Sequence, residues 1–329
     1  MGVRILLAFL SFLLFLRGAH VAAQQEDKSH EPLCYGFLRD GDVFLACNSR
    51  TEQITRFGDV EDFAVAYQKP ILALIRHRAK AQGRALDNGH EFISHSALQV
   101  IPLNGGPPGR MSPLQTPTVL QPSCGTVLSV MWEPSIGNRL GRAYDVLTGQ
   151  RVEFDPYKNF RCSSDRKVVV GWENPDHMIL KVGTSAERTL YAAAEYELIY
   201  DVSPNGEYIV YNTIEHHKGK LCLIRSGEET RCIEKGCGMS LSVSDSGAVL
   251  IGTVAVQGCY FKDSNHFSPT PRPGYTDETD GCPAVDYWNP RDKSSSLVEP
   301  LGRNPQWITP DAAAALRAWR SHESAVLDY

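Results

Sequence analysis

The stretch Asp201-VSPNGEYIVYN decides the fold, because it recurs. Aligned without gaps, Arg161-CSSDRKVVVGW and Ser242-VSDSGAVLIGT repeat its order: a strand end, a polar turn with Asp or Asn, then an alternating β-branched strand. Turn residues punctuate, and Val, Ile and Tyr fit the pleated strand that follows. The turn anchors Arg166, Gly206 and Gly247 are spaced 40 and 41 residues apart, and Gly125 in Gln121-PSCGTVLSV lies 41 before Arg166. A period near 40 is the length of one four-stranded propeller blade.

The second half of each unit repeats as well. Tyr144-DVLTGQRVEF, Leu180-KVGTSAERTLY and Cys222-LIRSGEETRCI each give strand, polar turn, strand. Two more copies emerge once insertions are allowed. Val65-AYQKPILALI matches the inner turn and strand, Ala97-LQVIPLNGG matches the hairpin, and residues 79–96 between them are extra. Near the other end Ile308-TPDAAAAL offers Thr-Pro-Asp in place of Ser-Pro-Asn, after a second insertion at 262–284. Its alanine run is taken as a strand on the strength of the turn, with a short helix as the alternative. Leu33 to Phe57 then supplies hairpin strands lacking inner partners, and Trp307 to Trp319 supplies inner strands lacking a hairpin. Joined, the two ends complete a blade and leave no open sheet edge. The expected fold is all-β: a propeller of six four-stranded blades closed by strands from both termini. Seven blades are the alternative if the first insertion hides a degenerate unit.

At Asp201-VSPNGEYIVYN and Ser242-VSDSGAVLIGT the chain resembles the WD40-like (PD40) repeat of the TolB-type propellers. The resemblance implies the fold and little about chemistry, since propellers host binding, scaffolding and enzymatic roles alike. Its familiar members are periplasmic or secreted interaction proteins, or propeller halves of serine peptidases. No hydrolase domain follows in this sequence.

The first 23 residues have the form of a secretory signal. Arg4 precedes the apolar run Ile5 to Leu16, Arg17 ends it, and Val21-Ala22-Ala23 offers a cleavage site before Gln24. The run is shorter than the roughly 20 residues a membrane span needs. Residues 24–329 are then a single propeller domain that works outside the cytoplasm. Without the arginines of the leader, 31 basic residues stand against 38 acidic ones. Mild acidity speaks against a nucleic-acid partner, which wants a basic face.

All nine cysteines follow the leader, and no CxxC pair occurs, so disulfides are favoured over zinc. Asp40-Gly41 suits a two-residue type I′ turn, in which both residues need positive φ. Centring a hairpin there pairs Arg39 with Asp42 and, outward, Cys34 with Cys47 at a non-hydrogen-bonded position. Their Cα atoms would lie about 4.5 Å apart, within the reach of a disulfide. Cys259 and Cys282 flank the second insertion and are paired at its base in this reading, with Cys237 as rival partner or free thiol.

Catalytic signatures are missing. His90-EFISH is one residue longer than HExxH, so His90 and His95 do not share a metal as i, i+4 histidines do. There is no G-x-S-x-G elbow and no phosphate-binding glycine loop. A candidate binding region gathers Asp263, His266, Asp277, Glu278 and Asp280 in the second insertion with His216 and His217 in a loop. Its acids suit Ca²⁺, although the EF-hand spacing is absent. Read from the repeat, the innermost strands carry mainly Ser, Val and Gly. These features favour an exported, monomeric binding module for a protein or cell-envelope component. The alternative is a lyase or hydrolase acting on a glycan or peptide at the central opening.

Overall fold

The computed structural model describes residues 33–48, 50–77, 83–87, 90–114, 118–133, 140–154, 158–174, 177–182, 186–192, 199–215, 218–225, 230–234, 240–255, 260–263, 266–268, 282–289 and 295–327. The turn chemistry of the repeats folds as four-stranded antiparallel sheets arranged as a β-propeller. The closing sheet holds β1 (Cys34–Arg39), β2 (Asp42–Cys47) and β3 (Arg50–Gln53), with β28 (Arg303–Ile308) innermost beside β1. The second contains β4 (Val60–Val65), β5 (Ile71–His77), β8 (Ser96–Pro102) and β9 (Ser112–Pro113), interrupted by the hairpin β6 (Gly83–Asp87) and β7 (His90–Ser94). The third is β10 (Thr118–Ser123), β11 (Thr126–Glu133), β12 (Leu140–Asp145) and β13 (Arg151–Val152). The fourth is β14 (Lys158–Cys162), β15 (Val168–Asn174), β16 (His177–Val182) and β17 (Ala186–Ala192). The fifth is β18 (Tyr200–Val202), β19 (Tyr208–Glu215), β20 (Lys218–Arg225) and β21 (Arg231–Glu234). The last is β22 (Ser240–Val243), β23 (Val249–Ala255), β26 (Cys282–Trp288) and β27 (Ser295–Pro300), interrupted by the hairpin β24 (Tyr260–Asp263) and β25 (His266–Ser268).

One turn explains the repeat that opens at Ser163, Ser203 and Ser244. Ser203 Oγ donates to Asn205 Oδ1 at 2.7 Å and accepts from Tyr208 N at 3.0 Å, while Glu207 N also reaches Asn205 Oδ1. Ser163, Asp165, Lys167 and Val168 form the same set, with Ser163 Oγ to Asp165 Oδ1 at 2.7 Å. The serine therefore ties the strand end to the next strand, and the Asx side chain fills the turn. The fourth position needs positive φ: +76° at Gly206, +81° at Gly247 and +62° at Arg166. Gly125 belongs to a tighter hairpin, in which Ser123 pairs directly with Thr126.

The C-terminal reading needs correction. Only Arg303–Ile308 adds a strand, so the ends close the sheet with three strands from the start and one from the end. Pro310–Leu327 is a helix, α1. Thr309 caps it, accepting Ala313 N on its carbonyl at 2.9 Å and Ala312 N on its hydroxyl at 3.3 Å, with Pro310 at the first helical position. The same Thr-Pro-Asp fits a turn or a cap. Ala312 stands where the turn requires a positive-φ glycine, and the alanine run settles it as helix. Ala312, Ala313, Leu316 and Trp319 pack onto the core that also holds Cys34, Cys47, Ile54 and Phe63.

The Asp40-Gly41 turn has φ of +51° and +74°, and β1 and β2 pair from Arg39↔Asp42 to Cys34↔Cys47. Cys34 and Cys47 are bridged, with Cα atoms 4.3 Å apart. Cys124–Cys162 joins the third sheet to the fourth, and Cys222–Cys232 crosses β20 and β21. Apolar layers separate neighbouring sheets. Phe37, Leu250, Val285 and Trp307 fill the seam between the last sheet and the closing one. The first insertion is a single hairpin among the described residues, so it supplies no extra blade.

Candidate functional site

The strands β28, β4, β10, β14, β18 and β22 are the innermost of their sheets and surround a central opening of about 560 Å³. Contrary to the sequence reading, these strands carry charge: Glu61, Asp62, Arg161 and Asp201 line the opening with Gln121, Ser240, Asn304 and Gln306. Asp201 precedes the repeated turn and was in plain view. Nothing in the spacing distinguishes a side chain aimed at the opening from one aimed at a neighbouring sheet.

Several polar groups of the inner ring hold the backbone of the next sheet. Gln306 accepts Val65 N at 2.9 Å and donates to Val65 O at 2.7 Å. Asp62 Oδ2 accepts Leu120 N at 2.7 Å, while its Oδ1 accepts Phe63 N and Asn304 Nδ2. Ser123 Oγ accepts Cys162 N at 2.8 Å. Asp201 Oδ2 accepts Val243 N at 3.0 Å, and Ser242 Oγ accepts Trp307 N at 3.1 Å. Apart from the Phe63 N–Asp62 contact within β4, these contacts run from one innermost strand to the following one, the last returning to β28. The repeated turns are linked in the same sense: Asn205 N donates to Asp245 Oδ1 at 2.8 Å, and Ser164 N to Pro204 O at 2.7 Å.

Burial sets the acidities. Desolvation pushes Asp201 up to about 7, against the opposing pull of Arg161 and backbone N–H groups. Asp62, which keeps some contact with the opening, rises to about 6 for the same reason. Burial also raises Tyr67, whose hydroxyl is sealed from solvent and feels the charges of Asp201 and Asp245. A carboxyl titrating near neutrality is suited to proton transfer. Here the two such carboxyls stand on the second and fifth sheets, and both are engaged by backbone donors of the adjoining sheet.

The sequence-derived candidates are placed as follows. Asp263 and His266 face one another in the register of β24 and β25. Asp277, Glu278, Asp280, His216, His217, Cys237 and Cys259 lie outside the described residues, as does the leader. Cys282 pairs with Ala255 in the backbone register of β26 and β23, and its expected bridge to Cys259 falls outside the described residues. Lys218, Gly219 and Lys220, which directly follow His216 and His217, belong to β20. Among the described residues no three His, Cys, Asp or Glu side chains converge as a metal site, and no helix is long and apolar enough to cross a membrane.

Both inserted hairpins interrupt the connection between the second and third strands of their sheets. In antiparallel four-stranded blades those connections all leave from the same face. The hairpins therefore rise from one face of the propeller, on the two sheets that flank the closing sheet, and Asp40-Gly41 turns on that face between them.

No protein-family model matches the chain, and no curated protein matches it in sequence. Its fold is similar to that of TolB from Acinetobacter baumannii, with a TM-score of 0.54 at 13% identity, covering 84% of this chain and 66% of that one. The chain thus spans just under two thirds of TolB. Weaker similarity, with a TM-score of 0.38 at 11% identity, extends to AztD from Citrobacter koseri over 85% of this chain and 98% of that one. At such identity the TolB likeness establishes the propeller fold and nothing finer.

Proposed function

We propose that this chain is an exported propeller, its six four-stranded sheets closed in one ring, that binds a protein or cell-envelope component without catalysis of its own. The observation that carries this reading is the use made of the inner-ring polar groups. Asp62, Asp201, Gln306, Ser123 and Ser242 are spent on neighbouring backbone, which is the work of a scaffold. The inserted hairpins, gathered on one face, supply the irregular surface that recognition uses. Export is supported by three disulfides, which persist in oxidising compartments.

The test is photo-crosslinking in intact producing cells. A photoreactive residue replaces Arg142, on β12 close to the face bearing the insertions, or Glu207, exposed in a turn on the opposite face. One discrete adduct from position 142 and none from 207 is the expected result. Equal labelling from both faces, with turnover of a glycan by the purified chain that Asp201→Asn abolishes, would replace the binding module by the enzyme.

A further inference from the structure

One position of the repeat is filled in two different ways. Arg161, Asp201 and Ser242 each stand two residues before a turn serine, Ser163, Ser203 or Ser244, and so lie at one level of three successive innermost strands, β14, β18 and β22. Asp201 and Ser242 act as acceptors there and latch the following strand through Val243 N and Trp307 N. A guanidinium has five N–H donors and no acceptor, so Arg161 cannot make that latch. Its charge is felt by Asp201 and by Tyr67, yet among the described residues no hydrogen bond or ion pair engages it. Arg161 is half-buried and lines the central opening. A charge partly withdrawn from water is ordinarily paired. This one stands in a cavity of about 560 Å³, a size typical of ligand sites.

The wall of the same cavity is apolar in part. Val119, on β10, lines the opening and keeps 42% of its surface exposed, and the half-buried Ile199 and Leu241 line it too. We propose that the central opening binds a monocarboxylate with an apolar body, its carboxylate held by Arg161 and its body lying against Val119, Ile199 and Leu241. A guanidinium meets a carboxylate through two parallel N–H···O bonds, for which a free fork is required. Ser123 bonds Cys162, which sets Arg161 level with Pro122, three residues or about 10 Å along the strand from Val119. That distance is the reach of an octanoate chain. Glu61, Asp62 and Asp201 also line the opening, so a single negative charge suits it, and the second charge of a phosphate ester would be repelled. A C-terminal carboxylate that follows an apolar residue has the same chemistry as a free acid, and the experiment separates the two sources.

Calorimetric titration of the purified full chain tests this, with sodium octanoate and with a short leucine-ended peptide bearing a free or an amidated C-terminus. One acid per chain is expected, with no binding of octylamine or of the amidated peptide. Octanoate alone marks a free acid as the source, and the free-acid peptide alone marks a chain end. Arg161→Gln should weaken binding at least about tenfold, the loss of a charged hydrogen-bonding partner. Arg161→Lys, which keeps the charge without the fork, should weaken it less. Because a variant can misfold, arginine modification by phenylglyoxal is also mapped by mass spectrometry on the wild-type chain. There the bound acid should protect Arg161 and leave the exposed Arg110 reactive. Undiminished binding by Arg161→Gln, octylamine binding as well as octanoate, no protection of Arg161, or no uptake of either acid at about 1 mM overturns the proposal.

Discussion

Asp201→Asn isolates the cost of keeping a carboxylate inside the ring. Asp201 is buried, accepts Val243 N at 3.0 Å and faces Arg161 and Tyr67. Its pKa is raised from 3.8 to about 7 in the folded chain. Below pH 3.8 both folded and unfolded chains hold the proton, and the carboxyl costs nothing. Between about pH 4 and 7 the unfolded chain releases it while the folded one keeps it, so stability falls as pH rises. Above 7 both are ionised and the loss is complete. Three pH units at about 1.4 kcal/mol each amount to about 4 kcal/mol, an order-of-magnitude figure. Asparagine keeps an acceptor for Val243 N and cannot ionise. The variant should therefore match the wild type near pH 4 and exceed it by about 2–4 kcal/mol at pH 8, some 4–8 °C in melting temperature for a domain of this size. Denaturant melts of both proteins across pH 4 to 8 measure the difference, in which every other titrating group cancels. A gap between variant and wild type that is the same at pH 4.5 and pH 8 refutes the reasoning, because Asp201 would then not titrate in that window.

How much of this was legible can be judged residue by residue. The turn at Ser203 to Tyr208 was, because its hydrogen bonds are local and each demands a particular residue: a hydroxyl, an Asx acceptor, a positive φ. The Cys34–Cys47 register was too, since Asp-Gly fixes the hairpin and counting does the rest. Thr309-Pro310-Asp311 was misassigned because turn and helix cap ask for the same first three residues and differ only at the fourth. The inner ring was harder. Asp201 and Val243 are 42 residues apart and meet only because successive sheets are adjacent, while Gln306 and Val65 need the ring to close between them. His77 and His95 meet through cross-strand pairing around an insertion, and no sequence spacing encodes that. What is local in the hydrogen-bond pattern could be read, and what depends on how sheets meet could not.

Replacing Cys34 and Cys47 by serine should cost about 3 kcal/mol, from reopening a loop whose ends are 13 residues apart, read as a lower urea midpoint. An unchanged midpoint would mean the hairpin is held without its bridge. Gly247→Ala should destabilise by at least about 1–2 kcal/mol, the cost of a left-handed backbone for an L-residue. Its φ is +81° and a Cβ there would sit 2.6 Å from the Tyr208 ring, so a melt at wild-type temperature would contradict the turn. Ala313→Pro tests the helix that replaced the expected strand. Ala313 is buried against the closing sheet and its N–H makes the first full helical bond, to Thr309 O at 2.9 Å. Proline removes that bond and clashes with the preceding turn, a loss of about 3 kcal/mol, whereas Ala314→Gly on the exposed side should cost only about 1 kcal/mol. The proline variant should also expose Arg317 and Arg320, which both hold Glu52 at 3.0 Å, to tryptic cleavage. If it melts and resists trypsin like the parent, α1 does not clamp the closing sheet, and the C-terminal segment contributes only its strand.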